Sequence, residues 1–139
     1  MRRLYRALGY RSWFSGQSRL GDDTYLLTRL PGKRREGDPA YKRIVRVFGQ
    51  MRVDALNDAA SDARKRRGLR AAGGDPDLFV YHPVEPTLRF FVEVKLENLA
   101  KAHPYFDSLN EQQKVLFPLI QTHLGCGVRL ARVQVTTVG

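Results

Sequence analysis

The stretch that most constrains the fold covers residues 73–95, which read G-G-D-P-D-L-F-V-Y-H-P-V-E-P-T-L-R-F-F-V-E-V-K. Residues 78–81 form a short apolar and aromatic run that is typical of a strand. The prolines at positions 83 and 86 cannot continue that strand, so the chain must turn there. Residues 88–95 then alternate with a period of two, which predicts a second strand. The stretch therefore predicts a hairpin-like pair of strands.

The alternation divides the second strand into two faces, one with Phe90, Val92 and Val94 and the other with Phe91, Glu93 and Lys95. Two charged residues on one face have two explanations. They line the wet face of an edge strand, with Pro76 and Asp77 in an ordinary turn, or they belong to a functional site.

Asp77 lies at the start of the first strand, so antiparallel pairing would bring its carboxylate toward Glu93 and Lys95. Two carboxylates are hard oxygen ligands of the kind that Mg²⁺ prefers, with Mn²⁺ as an alternative ion. The main-chain oxygen of Val94 is a candidate third ligand. Lys95 would then orient the attacking water and balance charge on a phosphate. This combination is suited to hydrolysis of a phosphodiester.

The charge of the chain is unevenly distributed. The formal net charge is +10, and residues 1–76 contain 18 Lys and Arg against 8 acids, whereas residues 77–139 contain 6 of each. Such asymmetry indicates a polyanionic partner, with nucleic acid favoured over a ribosomal or membrane-surface partner. The candidate DNA-binding residues are Lys33, Arg34 and Arg35 in a basic loop and Arg64, Lys65, Arg66, Arg67 and Arg70 at the end of a helix. The alternative is that both clusters are solvated, and cations in a last helical turn also complement the helix dipole.

The length of 139 residues predicts one domain. Cys126 is the only cysteine, which excludes an internal disulfide and a cysteine-based zinc site and favours a cytoplasmic or other intracellular location. The three histidines are too scattered for a transition-metal motif. The basic N-terminus lacks the apolar segment of a signal peptide, and no apolar run approaches the length of a membrane span. We therefore expect a soluble protein that is neither secreted nor embedded in a membrane.

Three segments follow one another along the chain. Residues 1–37 form a basic arm that glycines interrupt, with one short strand predicted at 25–30. Residues 38–70 predict one long helix from about 39 to 66, because Asp38 is a good N-cap and Pro39 suits the first turn. Its predicted apolar stripe is Ile44, Phe48, Met51, Ala55, Ala59 and Ala63. Residues 71–139 contain the strand pair, a second helix and a last strand.

The second helix has clear end signals. Asn110 is a good N-cap and Gly125 a natural C-cap, and Pro118 between them should kink the helix. Gln113 falls in the first turn, where it can reach Lys95 or a bound phosphate, although a surface glutamine is the plainer alternative. Residues 128–135, V-R-L-A-R-V-Q-V, predict the last strand. The expected fold class is α/β, a small mixed sheet flanked by helices.

The order G-G-D-P-D-L-F-V, F-F-V-E-V-K, L-N-E-Q-Q-K-V-L-F-P-L-I and a closing strand resembles the VRR-NUC nucleases of the PD-(D/E)XK superfamily, over about residues 70–135. The resemblance implies a restriction-endonuclease-like core in which Asp77 and Glu93 bind the metal, Lys95 is the catalytic lysine and Gln113 opens the helix after it.

The sequence departs from this family pattern before the strand pair. Family members place a further acid on the preceding helix, whereas here no glutamate occurs between Asp38 and Glu85. Glu36, Asp54 and Asp58 are the candidates to complete the metal site. Asp54, Asp58 and Asp62 share one face of the predicted helix, so a solvated acidic face is the alternative.

The expected function is that of a divalent-metal-dependent DNA endonuclease that recognises DNA structure. Small stand-alone relatives suggest a homodimeric Holliday junction resolvase, because a four-way junction presents two cuts related by a two-fold axis. A flap or nicking nuclease in repair or phage replication and an inert nucleic-acid-binding module are the alternatives. The candidate dimer interfaces are the exposed side of the long helix and the arm, whose apolar residues are Leu4, Tyr5, Leu8, Trp13 and Phe14. The arm could instead fold back on its own sheet.

Overall fold

The computed structural model describes residues 11–14, 39–69, 73–82, 84–85, 87–100 and 105–136. These residues form three helices, α1 (Pro39–Phe48), α2 (Gln50–Arg66) and α3 (Glu111–Leu124). They also form five strands, β1 (Arg11–Phe14), β2 (Leu78–Tyr81), β3 (Arg89–Asn98), β4 (Tyr105–Phe106) and β5 (Val128–Val135). The fold class is α/β, as predicted, and the sheet is mixed.

Strand β3 lies inside the sheet and pairs along both of its edges. On one edge β2 pairs antiparallel with the first residues of β3, from Arg89 to Val92, and β4 pairs antiparallel with Glu97 and Asn98. On the other edge β5 runs parallel to β3 from Phe91 onward. β1 pairs antiparallel with the outer edge of β2. The interpretation of β3 as an edge strand is therefore wrong.

Each face of the sheet has its own apolar cluster. The helices pack on the face that carries Phe79 and Phe91, whose rings lie 5.0 Å apart and both contact Phe48 of α1. The opposite face carries a second buried cluster of Leu78, Val80, Phe90 and Val92. The predicted alternation of β3 is confirmed, and Glu93 and Lys95 point to the same side as Phe91, toward the helices.

The predicted long helix is two helices, because Gly49 between α1 and α2 has φ 88° and ψ 145°. A positive φ favours glycine and ends the helical path. The break shifts the phase of the apolar stripe. Ile44 and Phe48 are buried as predicted, but Met51 is 86% exposed and the buried face of α2 consists of Val53, Leu56, Ala60 and Arg64.

Helix α3 begins and ends where its sequence signals predict. Asn110 is the N-cap, Gly125 is the C-cap in the left-handed conformation with φ 68°, and Pro118 lies inside the helix. Its buried side, including Leu116, Ile120 and Leu124, packs on α2 and the sheet. The last strand spans the predicted residues.

Part of the N-terminal arm belongs to the sheet, since β1 pairs with β2 of the same chain. The strand predicted at residues 25–30 lies outside the described residues, as do the basic loop at 33–35, Glu36, Asp38 and Arg70. In the part of the chain that the structure describes, no helix is long and apolar enough to span a bilayer.

Candidate active site

The candidate site lies at an opening along one edge of β3, between the residues that pair with β2 and those that pair with β4. β2 pairs with β3 only as far as Val92, and β4 begins its pairing at Glu97. In the interval, the N–H of Val94 donates to Asp77 Oδ2 at 2.7 Å, so a side chain replaces a neighbouring strand. In an extended strand the N–H and C=O of one residue point to the same edge. The carbonyl oxygen of Val94 therefore faces the opening beside Asp77.

Glu93 and Lys95 form a buried ion pair beside this opening. The residues are 4% and 5% exposed, and Lys95 Nζ lies 2.8 Å from Glu93 Oε1. Residues two apart on a strand share a face, which is why the two side chains meet. Buried charges are costly unless they are paired and hydrogen-bonded. This pair explains why a strand interior can hold both charges.

Gln113 joins the ion pair to the start of α3. Its Nε2 donates to Glu93 Oε1 at 2.6 Å, and its Oε1 accepts from Lys95 Nζ at 3.0 Å and from the N–H of Asn110 at 3.1 Å. Only one orientation of the amide satisfies all three partners, because the carboxylate needs a donor and the two nitrogens need an acceptor. The Asn110 side chain accepts from the N–H of Gln113, which completes a capping box. The helix cap thus fixes a side chain of the site.

One oxygen of Glu93 has no hydrogen-bond partner in the part of the chain that the structure describes. The hydrogen bonds from Lys95 and Gln113 both go to Oε1, whereas none reaches the buried Oε2. Burial raises the pKa of the Glu93 carboxyl, the charge of Asp77 raises it further, and Lys95 and Gln113 lower it. An unpaired acceptor next to a second carboxylate is the electrostatic environment that a cation relieves.

Gly74 packs the loop that carries Asp77 against the first turn of α3. Its φ is +87°, and a Cβ at this position would lie 2.6 Å from the backbone carbon of Gln112 and 2.7 Å from the backbone nitrogen of Gln113. Any other residue would force the two segments apart. The glycine therefore couples the position of Asp77 to that of Gln113, which is a physical reason for glycine before Asp77.

The structure brings the four predicted catalytic residues together. The Asp77 carboxylate accepts a hydrogen bond from the N–H of Val94, the residue between Glu93 and Lys95. Gln113 contacts the side chains of Glu93 and Lys95. Val94 presents its main chain at the same opening. Their roles in catalysis remain predictions.

Asp107 also belongs to this region, although no sequence pattern singles it out. Its Oδ2 lies 3.7 Å from Lys95 Nζ, its side chain is 36% exposed, and its N–H donates to the carbonyl of Leu96 at 3.0 Å. Asp107 stands three residues before the N-cap of α3, in a connection whose path no local pattern predicts. Residues 101–104 of the same connection lie outside the described residues, and only the backbone of Tyr105 is described, in β4.

The acids on α2 lie on its exposed side. Asp54, Asp58 and Asp62 are all exposed. Asp54 accepts a hydrogen bond from Gln50 at 2.8 Å, and Asp62 lies 3.9 Å from Lys65. The solvated acidic face is therefore the better description of these three residues.

The basic run at the end of α2 is divided by burial. Lys65, Arg66 and Arg67 are exposed, and the charge of Arg67 helps to lower the pKa of Glu111 in the first turn of α3, after the larger effect of Lys114. Arg67 is therefore within electrostatic range of the first turn of α3.

Arg64 differs from its neighbours in the run. It is 6% exposed because it continues the buried face of α2, and its Nε and Nη2 have no hydrogen-bond partner among the residues that the structure describes. Desolvation lowers its pKa, and the charge of Asp75 opposes that shift. The expectation that Arg64 belongs to a surface cluster is not met, because its guanidinium faces the interior.

Glu97 is the next buried acid on the same face of β3, and the sequence alone does not mark it. Its Oε1 accepts from Arg132 Nη1 at 2.6 Å and its Oε2 from Gln134 Nε2 at 2.8 Å. Both partners come from β5, which pairs in parallel with β3. This carboxylate is satisfied within the sheet.

Among the described residues, no three or more His, Cys, Asp or Glu side chains are grouped to hold a metal ion. The candidate ligand set therefore consists of two carboxylates and a main-chain oxygen. Comparison of the chain with known protein families, curated proteins and solved structures finds no match.

Proposed function

We propose that this protein is a divalent-cation-dependent DNA endonuclease with a PD-(D/E)XK-like core, which hydrolyses phosphodiester bonds. The observation that carries the proposal is the buried Oε2 of Glu93, which has no hydrogen-bond partner among the described residues, while Lys95 and Gln113 occupy the other oxygen. An unpaired buried acceptor is costly, and a bound cation would relieve that cost. The mixed sheet with α3 on one face supports the same class of core.

The residues at the opening fit a hard divalent cation such as Mg²⁺, or Mn²⁺ in its place. Glu93 Oε2, the Asp77 carboxylate and the Val94 carbonyl would hold it, and a cation with few protein ligands suits this set. When bound, such an ion supplies Lewis-acid polarisation of a phosphoryl oxygen and a more acidic water. Its charge would also offset the repulsion between Asp77 and Glu93 that raises the pKa of Glu93.

Lys95 is the residue that we assign to the attacking water. Its ammonium is held by Glu93 and Gln113, so its position is fixed before the substrate arrives. A positioned ammonium stabilises negative charge as it develops on the phosphate oxygens, at no cost of reorganisation. Gln113 acts through Lys95 and Glu93, whose positions it fixes, and is a positioning residue.

DNA would approach across the basic end of α2. Arg67 lies close enough to α3 to act on Glu111, and Lys65 and Arg66 are exposed beside it. Exposed cations at this helix end would neutralise backbone phosphates, which makes affinity dependent on salt. The N-terminal basic loop at 33–35 is a further candidate for the same role.

The substrate that we propose first is the four-way junction, cut by a homodimer as a Holliday junction resolvase, because two symmetric incisions need two active sites at a fixed separation. A flap or nicking nuclease is the second candidate. One observation favours it: residues Arg11–Phe14 of the arm, proposed as a dimer interface, pair with β2 of their own sheet. An inert nucleic-acid-binding module of the same fold would have no use for a buried Glu93 oxygen that lacks a hydrogen-bond partner among the described residues.

The test is cleavage of end-labelled four-way junction, flap, linear duplex and single strand in the presence of Mg²⁺, Mn²⁺, Ca²⁺ or a chelator. We expect strand cleavage with Mg²⁺ or Mn²⁺ only. Light scattering of the same sample distinguishes the two candidate functions. A dimer that makes paired cuts supports the resolvase, and a monomer that nicks supports the flap or nicking nuclease. Absence of metal-dependent cleavage on all four substrates would overturn the nuclease proposal.

A further inference from the structure

Asp107 is the second carboxylate that faces the Lys95 ammonium. Lys95 Nζ lies 2.8 Å from Glu93 Oε1, 3.0 Å from Gln113 Oε1 and 3.7 Å from Asp107 Oδ2. In the described part of the chain, Glu93 and Asp107 are its two ion-pair partners. Glu93 is almost wholly buried, whereas the Asp107 side chain is about one-third exposed. Asp107 therefore lies on the side of the ammonium that is nearer to solvent.

The two ion pairs would respond differently to a cation. A cation held by Glu93 and Asp77 would offset the negative charge that balances Lys95, and the cation and the ammonium would repel each other. Gln113 is neutral and does not compensate that charge. Of the acids that the structure describes, Asp107 is the one that remains within ion-pair distance of the ammonium.

We propose that Asp107 is a positioning residue for Lys95. Its charge holds the ammonium in place at the solvent side of the site when a cation engages Glu93 Oε2, and so it keeps Lys95 beside the substrate phosphate. This inference rests on the proposed nuclease function. It adds a third acid to the site, downstream of the strand pair, where the sequence suggested an acid upstream.

The side-chain role can be separated from the backbone role. The backbone N–H of Asp107 donates to Leu96 and holds the end of β4 against β3, and substitution of the side chain leaves that bond intact. Asp107→Asn keeps the size of the side chain and removes its charge. Asp107→Glu keeps the charge. Glu85→Gln is the matched control, because Glu85 is an exposed acid in the β2–β3 turn.

The first readout is Mn²⁺ binding by calorimetry in the absence of DNA. Without Asp107, no second carboxylate offsets the repulsion between the ammonium and the cation, so Asp107→Asn should weaken Mn²⁺ binding about tenfold, as removal of residues that support a metal ligand commonly does. Asp107→Glu should restore most of the affinity, and Glu85→Gln should match the wild type. Equal Mn²⁺ affinity for Asp107→Asn and Glu85→Gln would overturn the inference.

The second readout is single-turnover cleavage at saturating Mg²⁺ with Ca²⁺-supported DNA binding beside it. Asp107→Asn should cleave about 10- to 100-fold more slowly while binding DNA at least as tightly, because a negative charge near the phosphates has been removed. If both Asp107 variants lose activity together with thermal stability, the residue is structural and the inference fails. A wild-type protein that neither binds Mn²⁺ nor cuts DNA overturns the proposed function, and this inference with it. A wild type that does both while Asp107→Asn equals it overturns the Asp107 role alone.

Discussion

Glu93 and Glu97 make a natural comparison, because they lie on one face of β3 four residues apart and are 4% and 7% exposed. The two carboxylates differ in the hydrogen bonds that their neighbours supply. Glu97 receives one hydrogen bond on each oxygen, from Arg132 and Gln134. Glu93 receives its bonds on Oε1 alone, and Oε2 is left without a partner.

The two carboxyl groups are shifted in opposite directions. Hydrogen bonds from Gln134 and Arg132 lower the pKa of Glu97, whereas burial raises the pKa of Glu93. Burial alone therefore does not distinguish a functional acid from a structural one. What distinguishes them is whether the fold itself supplies the partners that a buried charge requires. Glu97 holds β5 to β3, whereas Glu93 keeps one oxygen without a partner among the described residues, as the proposed cation site requires.

The largest expected effect is on cleavage. Glu93→Gln or Asp77→Asn removes a ligand charge worth several kcal/mol to the transition state, so cleavage should fall roughly 1,000-fold or more. Ca²⁺-supported DNA binding should change little. Glu97→Gln, the matched control, should keep most of the activity and lose thermal stability, since its charge supports two hydrogen bonds. Gel-based cleavage assays of the three variants measure this, and equal activity of Glu93→Gln and Glu97→Gln would break the comparison.

Lys95 should come next in size. Lys95→Ala removes the group that orients the water, and removal of such a group typically costs about 10²- to 10⁴-fold in rate. Gln113→Ala should cost less, about 10- to 100-fold, because Gln113 only fixes the positions of other residues. Lys114→Ala serves as the control, since Lys114 is exposed and pairs with Glu111. A folded Lys95→Ala protein with normal single-turnover rates would refute the assignment.

A smaller effect concerns the basic end of α2 and the salt dependence of DNA binding. Replacing Lys65, Arg66 and Arg67 with Gln should reduce the log–log slope of affinity against salt by about 0.9 for each phosphate that the protein no longer neutralises. Arg64→Gln is the control, because Arg64 is buried and should affect stability and leave the slope unchanged. Fluorescence anisotropy over a salt series gives both slopes. An unchanged slope in the triple variant would mean that the run is a solvated surface, and the 33–35 loop can be tested in the same way.

The smallest expected effect is on stability against pH without metal. The raised pKa of Glu93 costs nothing below the pKa of the unfolded chain, and the cost appears as pH rises through the folded pKa. The lowered pKa of Glu97 stabilises the fold above the unfolded pKa, and that contribution is lost as pH falls through the folded pKa.

Melting temperatures of the two Gln variants relative to the wild type, measured from about pH 4 to about pH 7, should therefore change in opposite directions. The Glu93→Gln difference should become more favourable as pH rises, and the Glu97→Gln difference less favourable. Parallel trends would show that the two carboxyl groups occupy equivalent environments.

Much of the fold is predictable because its signals are local. The strand Leu78–Tyr81, the last strand Val128–Val135 and the ends of α3 follow from alternation, prolines and helix caps within a few residues. The predicted apolar stripe of the long helix is wrong for a local reason as well. It assumes one helical period across Gly49, whose positive φ ends one helix and starts the next with a different face inward.

The sequence predicts which residues form the candidate site, and it does not predict the hydrogen bonds and charges around them. The sequence indicates that Asp77, Glu93 and Lys95 meet, because strand alternation and antiparallel pairing are local rules. The positions of Asp107 and of the partners of Glu97 depend on connections and parallel pairing between distant segments. The unpaired oxygen of Glu93 depends on both Lys95 and Gln113 binding the other oxygen, which only the packed structure defines.

The most direct test of the cation centre is a calorimetric titration of Mn²⁺ into the wild type, Glu93→Gln, Asp77→Asn and Glu97→Gln without DNA. We predict that the wild type and Glu97→Gln bind with similar affinity, while Glu93→Gln and Asp77→Asn lose binding. Equal binding by all four proteins, or binding by none, would contradict the claim that Glu93 and Asp77 form a cation site.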